Sequence, residues 1–268
     1  CKSGLIVCHN KIIELSNMSE HTSEQSGADF SIARDFPALE TVLTSKDLQK
    51  FDRLGIEIQR RLKKKGVLIR NPGTWQMAIG YLDKIFGGLQ KDSLRGYSFI
   101  DVGGGSYKTQ GFSYGPDLAK AFNYFGADVT IVDPVANPND FLPDELKHVV
   151  IEPETVENFV QRNVTKKVSM LTSASFFGSP NKEVNTPEEC LATIANLRDM
   201  AKVSDVQLHV VNNLDHVNWQ LLASQLNDSS VEHGLQVKYL GGATLLANSR
   251  KDMPLVDLII IDNRLPRQ

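Results

Sequence analysis

One aspartate followed by a bare stretch of backbone, Asp101-Val102-Gly103-Gly104-Gly105, closes the apolar run Ser98-Phe99-Ile100. A buried strand that runs straight into such a turn presents backbone N–H groups to a polar ligand. Glycine matters here because, without Cβ, the chain can take positive φ and come to van der Waals distance of what it holds. A second carboxylate stands one strand–helix unit later, where Gly126-Ala127-Asp128-Val129-Thr130-Ile131-Val132 leads to Asp133. At the tip of a second strand it can accept both hydroxyls of a ribose, and hydrogen bonds to a charged group contribute ~1.5–3 kcal/mol. Asp101, Gly103, Gly104, Gly105 and Asp133 together describe a site for an adenosine-containing cofactor.

Two phosphate-binding readings compete for the same loop. Lys108-Thr109 suggests a P-loop, but such a loop needs glycine directly before its lysine, and Tyr107 stands there; Val102 occupies the first glycine position. The dinucleotide fingerprint G-x-G-x-x-G is met at Gly103 and Gly105, and Lys108 replaces its third glycine. An NAD-dependent oxidoreductase therefore remains an alternative on the residues alone.

The elements that would position these groups follow from periodicity. Short β-rich runs at Tyr97–Val102, Asp128–Val132, His148–Ile151, Val168–Thr172 and Val206–Val211 alternate with helical spacing at Pro116–Phe125, Pro153–Arg162, Pro187–Ala201 and Val217–Leu226. Alternation of this kind predicts an α/β fold with a parallel sheet and crossover helices. Leu235–Leu240 and Leu255–Ile261 have no helix between them and should pair antiparallel. Ahead of the sheet, Leu48, Phe51, Leu54, Ile58 and Leu62 form one helical stripe ended by Gly66, and Trp75, Ala78, Leu82, Ile85 and Phe86 a second, capped by Thr74 and ended by Gly87-Gly88. The boundary is placed near Asp92, giving an N-terminal helical extension over 1–92 and a sheet domain over 93–268. Within the extension a small hairpin is read over Leu5–Ile13 and a loop over Ser16–Asp29.

These residues resemble class I, Rossmann-like S-adenosylmethionine-dependent methyltransferases. The likeness rests on the acid-then-glycine turn Phe99–Gly105, on Asp133 as the ribose-binding acid and on Leu255–Ile261 as the reversed seventh strand. It spans about Tyr97 to Asn263. It implies a seven-stranded, mostly parallel sheet with an antiparallel last strand, and S-adenosylmethionine as cofactor. By the same resemblance Glu152, at the end of strand three, contacts the adenine amino group, although as an acid in a first helical turn it can equally be a dipole partner. Ser173, a further candidate cofactor contact by the resemblance, lies in the loop after strand four, Thr172–Pro180, which the family turns toward its substrate and where Phe176 and Phe177 either line an apolar wall or are buried. Strand five ends in Asn212-Asn213-Leu214-Asp215-His216, where His216 is the candidate general base with Asp215 beside it; Asp215 or Asn213 can instead cap the next helix. The N-terminal helices would cover the pocket. Tyr107 stands where the family often has glycine, and Lys108–Gly115 is extra sequence that includes Gln110 and Tyr114. That departure motivates a second reading, a binding module that kept the fold and lost transfer activity.

The rest of the chain narrows the acceptor. Net charge is -3 with 23% charged and 41% hydrophobic residues, the balance of an ordinary soluble protein. The basic cluster Arg60, Arg61, Lys63, Lys64 and Lys65 sits at a helix C-terminus, where cations complement the macrodipole. With no Asn-Pro-Pro-Tyr or Pro-Cys signature after strand four, a small molecule or a protein is the expected methyl acceptor and nucleic acid is not expected. His148 and His209 fall within strand-like runs and are given no role. Three scattered cysteines form no metal-ligand spacing, so no metal is expected, and they suit a reducing, cytoplasmic setting. No apolar run has the roughly 20 residues of a spanning helix.

Overall fold

The computed structural model describes residues 35–39, 43–70, 73–108, 115–163, 167–174, 186–213, 218–233, 235–243 and 255–264. The hairpin read over Leu5–Ile13 and the loop over Ser16–Asp29 lie outside them. Seven strands make one sheet: β1 Ser98–Val102, β2 Asp128–Val132, β3 Val149–Glu152, β4 Val168–Ala174, β5 Ser204–Asn213, β6 Gln236–Ala243 and β7 Leu255–Asp262. Their order is β3-β2-β1-β4-β5-β7-β6. The first five run parallel, and β7 enters antiparallel between β5 and β6.

Period-two side chains divide the core into two layers. Phe99, Ile131, Met170, Leu208 and Ile260 belong to the layer on one face. Their chain neighbours Ile100, Val132, Leu171, Ile259 and Ile261 belong to the other. The first face is covered by α2, Trp75–Ile85, and α3, Asp117–Tyr124; Phe99 stacks on Phe122 of α3 with ring centroids 4.4 Å apart. The second face is covered by α4, Val156–Asn163, α5, Pro187–Val203, and α6, Trp219–His233.

The helix α1, Ser45–Lys64, starts on a capping box in which Thr44 and Asp47 satisfy each other's backbone N–H groups. Its stripe packs on α2, and α2 in turn packs on β4, β5 and α3. Both helices thus belong to the same compact unit as the sheet, Ile32–Gln268, and α2 acts as one of its layers. The crossing is close because glycine stands on each side of it. A Cβ on Gly55 would fall 1.8 Å from the Gln76 carbonyl oxygen, and one on Gly80 would fall 1.9 Å from that of Phe51.

Element edges differ from the sequence reading where backbone satisfaction competes with periodicity. Pro153-Glu154-Thr155 stays outside α4, which begins at Val156. Thr74 precedes α2 in αR conformation with no side-chain cap. Two 3-10 turns, Pro138–Asp140 and Glu145–Lys147, fill the connection from β2 to β3.

Candidate functional site

Strand pairing brings the chemistry to one sheet edge. Val102 of β1 is level with Val132 of β2 and with Ser173 of β4. Beyond Val102 the backbone turns through Gly103 (φ 73) and Gly105 (φ 64), left-handed conformations open to glycine at no steric cost. The Gly103 N–H donates to the Val132 carbonyl at 3.0 Å. A Cβ on Gly104 would lie 3.1 Å from Oδ2 of Asp101 and 3.1 Å from Cγ2 of Ile131, so the turn rests on the aspartate that precedes it.

Asp133 reaches the same turn. Its Oδ2 accepts from the Gly105 N–H at 2.9 Å, and its Oδ1 accepts from the Val135 N–H at 2.8 Å. Two oxygens offer about four acceptor positions, and these two bonds use one on each. The residue is partly exposed, so a diol can be accepted without breaking either bond.

Asp101 sits below the turn, 2% exposed. Burial first, and then the negative charges of Asp133 and Asp117, raise its pKa to about 7 against the pull of the Ala119 N–H and the Thr172 hydroxyl. Its carboxyl therefore keeps its proton well above the ordinary carboxylate range.

The chain leaving the turn is fastened by two further aspartates. Asp140, on the first 3-10 turn, accepts from the Ser106 hydroxyl at 2.5 Å and from the Tyr107 N–H at 3.1 Å. Asp117, the first residue of α3, is bonded by the Tyr107 hydroxyl and accepts from the Arg70 N–H at 3.1 Å. The Tyr107 hydroxyl also lies 3.2 Å from the Leu68 carbonyl oxygen, and the Arg70 guanidinium is 4.3 Å above the tyrosine ring. Burial and the Asp117 carboxylate push the Tyr107 pKa far up, so the phenol stays protonated. Through these contacts residues 67–70, which join α1 to α2, reach the glycine turn. Lys120 of α3, with its side chain fully buried, lies 3.4 Å from Glu145 and 4.9 Å from the Phe141 ring centroid.

Glu152 and Ser173 stand at the same edge, level with Val132 and Val102, and each has a partner of its own. Glu152 closes β3 and accepts from Arg162 at 3.0 Å, an ion pair that Glu154 shares. Ser173 is buried beneath the sheet edge with its hydroxyl 2.8 Å from Nδ1 of His209. His209 Nε2 meets Oε1 of Gln207 at 2.9 Å, and Gln207 donates its amide to the Leu197 carbonyl at 2.9 Å. That chain of donors puts the imidazole proton on Nε2 and leaves Nδ1 to accept from Ser173. Burial drives the His209 pKa down to about 3, so the ring is neutral. His148 is exposed and lies 3.1 Å from Asp128. Asp215, His216, Phe176, Phe177, Gln110 and Tyr114 lie outside the described residues. Sequence reasoning missed Asp117, Asp140, Arg70 and Lys120; the one signal present was Pro116-Asp117 at a helix start, which reads as ordinary capping.

No protein-family model matches the chain, and no curated protein is similar to it in sequence. Among solved structures, the methyltransferase domain of METTL16 without its N-terminus is similar at 10% identity and TM-score 0.49, over 83% of this chain and 100% of that one. A Pyrococcus horikoshii protein assigned as an RNA methyltransferase is 16% identical with TM-score 0.46, over 80% and 98%. The Thermus thermophilus 16S rRNA N2 G1207 methyltransferase, solved with S-adenosylmethionine and guanosine, is 13% identical with TM-score 0.42, over 73% and 44%. Two of the three are RNA methyltransferases by name. With strand order 3-2-1-4-5-7-6 and a reversed β7, the chain has the Rossmann-like methyltransferase fold.

Proposed function

We propose that this chain is an S-adenosylmethionine-dependent methyltransferase whose acceptor class is open. The observation that carries the reading is the Asp133 carboxylate bonded to the Gly105 N–H at 2.9 Å, which joins a diol acceptor to a bare backbone turn on neighbouring parallel strands. Asp133 would hold the ribose, and Gly103 to Gly105 would lie along the nucleoside and its amino-acid tail. When bound, the cofactor supplies an electrophilic methyl group on a sulfonium.

The chain's own part is orientation and exclusion of water, which can account for a large share of the rate. Residues 214–217 follow directly on β5, which runs parallel to β1 and β4 and so ends at the same edge. His216 is the candidate base for the acceptor's proton, with Asp215 beside it. Glu152 keeps acceptor positions free beside its Arg162 bond, whereas Ser173 would need to leave His209 to meet a ligand.

One feature weighs against a dinucleotide. Its diphosphate would take the N-terminus of the helix after the glycine turn. There the Asp117 carboxylate is already seated, 2% exposed and within the electrostatic reach of Asp101. Two phosphate charges would meet carboxylates where the fold ordinarily offers N–H groups.

Calorimetric titration with S-adenosylmethionine, S-adenosylhomocysteine and NAD tests the reading. The first two should bind, NAD should not, and Asp133→Ala should weaken both nucleoside ligands by ~10- to 100-fold. Unchanged affinity in Asp133→Ala would remove the basis of the proposal. Tight binding with no transfer to any acceptor in a panel of small molecules, proteins and RNA would instead identify a binding module.

A further inference from the structure

The solvent side of α1 carries a ridge of charge that the cofactor site does not use. Lys46, Lys50, Arg53, Glu57, Arg60 and Lys64 are all exposed and follow one another at steps of three or four residues. At about 100° and about 1.5 Å per residue they fall within an arc of about 80° and run about 27 Å along the helix. Five of the six are cations, and among the described residues none of those five makes an ion pair or a side-chain hydrogen bond. Arg61 beside them is held by the Leu89 carbonyl at 2.7 Å and by Asp83 at 3.9 Å. The other acids of α1, Asp47 and Asp52, lie off the arc, and Asp47 is taken up in the capping box.

The helix dipole explains only part of this ridge. It favours Arg61, Lys63 and Lys64 in the last turn. It disfavours Lys46 in the first turn and is indifferent to Lys50 and Arg53 further in. Charge is also segregated along the chain, since six cations and no acid fall within residues 60–70 of a protein whose net charge is -3. The ridge ends beside the glycine turn. Past Lys65 the chain enters residues 67–70, where the Leu68 carbonyl lies 3.2 Å from the Tyr107 hydroxyl and the exposed Arg70 holds its guanidinium 4.3 Å from the Tyr107 ring centroid.

We infer that the outer face of α1 docks the phosphate backbone of a nucleic-acid strand and leads it toward the cofactor edge of the sheet. A linear array of unpaired cations, repeating once per helical turn, complements a polymer with regularly repeating negative charge. An acidic protein fits less well, because protein interfaces are depleted in lysine and enriched in aromatic side chains, and this stripe has none of the latter. A lipid surface fits less well again. A helix that lies in a membrane buries its apolar face there, and that face of α1, with Leu48, Phe51, Ile58 and Leu62, is packed in the core against α2. The placement of the strand beside a methyl donor rests on the proposed methyltransferase reading; the docking itself does not.

Fluorescence anisotropy of the full chain with a short labelled single-stranded RNA, over a range of salt concentrations, tests the docking. The RNA should bind, and the triple variant Arg53→Gln, Arg60→Gln, Lys64→Gln should weaken it on the order of 100-fold at about 0.1 M salt and flatten the salt slope by ~2. Glutamine forms helix as readily as these cations, and all three side chains are exposed, so the fold is kept. Glu57→Lys completes the ridge and should tighten binding by ~3- to 10-fold. Removing three exposed cations elsewhere, with Lys147→Gln, Lys167→Gln and Lys202→Gln, should leave affinity within about twofold, which separates the ridge from net charge. No RNA binding, equal loss in the two triple variants, or equally tight binding of polyglutamate or of phosphatidylserine vesicles overturns the assignment. S-adenosylhomocysteine titrated into the same preparations keeps the two readings apart: RNA bound without nucleoside defeats only the methyltransferase, and nucleoside bound without RNA defeats only the ridge.

Discussion

Asp101→Asn should change how stability depends on pH in a way that only a buried, protonated Asp101 explains. Asp101 has its pKa raised from 3.8 to about 7, and His209 has its pKa lowered from 6.5 to about 3. Between about pH 4 and 6.5 the folded chain holds a proton on Asp101 and none on His209, whereas the unfolded chain does the reverse. At these two sites the folded and unfolded chains bind equal numbers of protons, so their contributions to the slope of stability with pH cancel.

Asparagine mimics the protonated carboxyl and removes one side of that balance. For an acid with a raised pKa, stability is fully present below the unfolded value and is lost as pH rises toward the folded value. The parent therefore weakens from Asp101 between about pH 4 and 7, and the variant does not. The difference between variant and parent should climb by ~1.4 kcal/mol per pH unit across that window and then level off, for a total on the order of 4 kcal/mol. Urea unfolding of both proteins at several pH values between 4 and 8 measures that difference, because titrating groups that do not interact with Asp101 cancel on subtraction. A difference that stays flat from pH 4 to 7 would refute the assignment of a protonated Asp101. The variant should also bind nucleoside ligand less well, since a residue that destabilises the fold at neutral pH is kept for another use.

Gly80→Ala would drive a methyl group into the Phe51 carbonyl, 1.9 Å away, and force α1 off α2; a loss of ~3 kcal/mol is expected in thermal or denaturant unfolding. Ser173→Ala should cost ~1–3 kcal/mol by leaving Nδ1 of His209 without its donor, with no change in nucleoside affinity, and a matching fall in affinity would instead place Ser173 at the cofactor. Tyr107→Phe removes the hydroxyl that Asp117 and the Leu68 carbonyl share; it should lower stability by ~1–2 kcal/mol and increase proteolytic cleavage of residues 67–70.

What the sequence made legible is what short-range physics writes into it. Strand two is read at Asp128–Val132 with no error, because a β-branched run bounded by Gly126 and Pro134 admits little else. The glycine turn and Asp133 are equally plain, since positive φ and a strand-tip acid are local properties. Asp117 and Asp140 were not legible. Asp140 matters only because the turn after β2 brings it to Ser106 and Tyr107, 34 and 33 residues away, and Asp117 because α3 brings it to Tyr107, 10 residues away. Tyr107 reads as a departure from a glycine pattern, and only packing shows that its ring lies under Arg70 and its hydroxyl ties the turn to α3. The role of α2 was hidden for the same reason. Its stripe tells that one face is buried; that α2 packs on β4 and β5 is a long-range outcome, and Gly55 and Gly80 show only in three dimensions that α1 crosses it closely.

The acids gathered around the turn have a common consequence for what can bind there. Asp101, Asp117 and Asp133 interact closely enough that the latter two help hold the first protonated. Lys120, a buried cation on the same helix as Asp117, is already paired with Glu145. A site in this condition resists added negative charge and gains from a positive one, because a cation nearby offsets the repulsion that adds to burial in keeping Asp101 neutral. Among adenosine ligands, a sulfonium brings that positive charge and a diphosphate brings the opposite. Those carboxylates would thus favour, by charge, the proposed sulfonium ligand over a diphosphate.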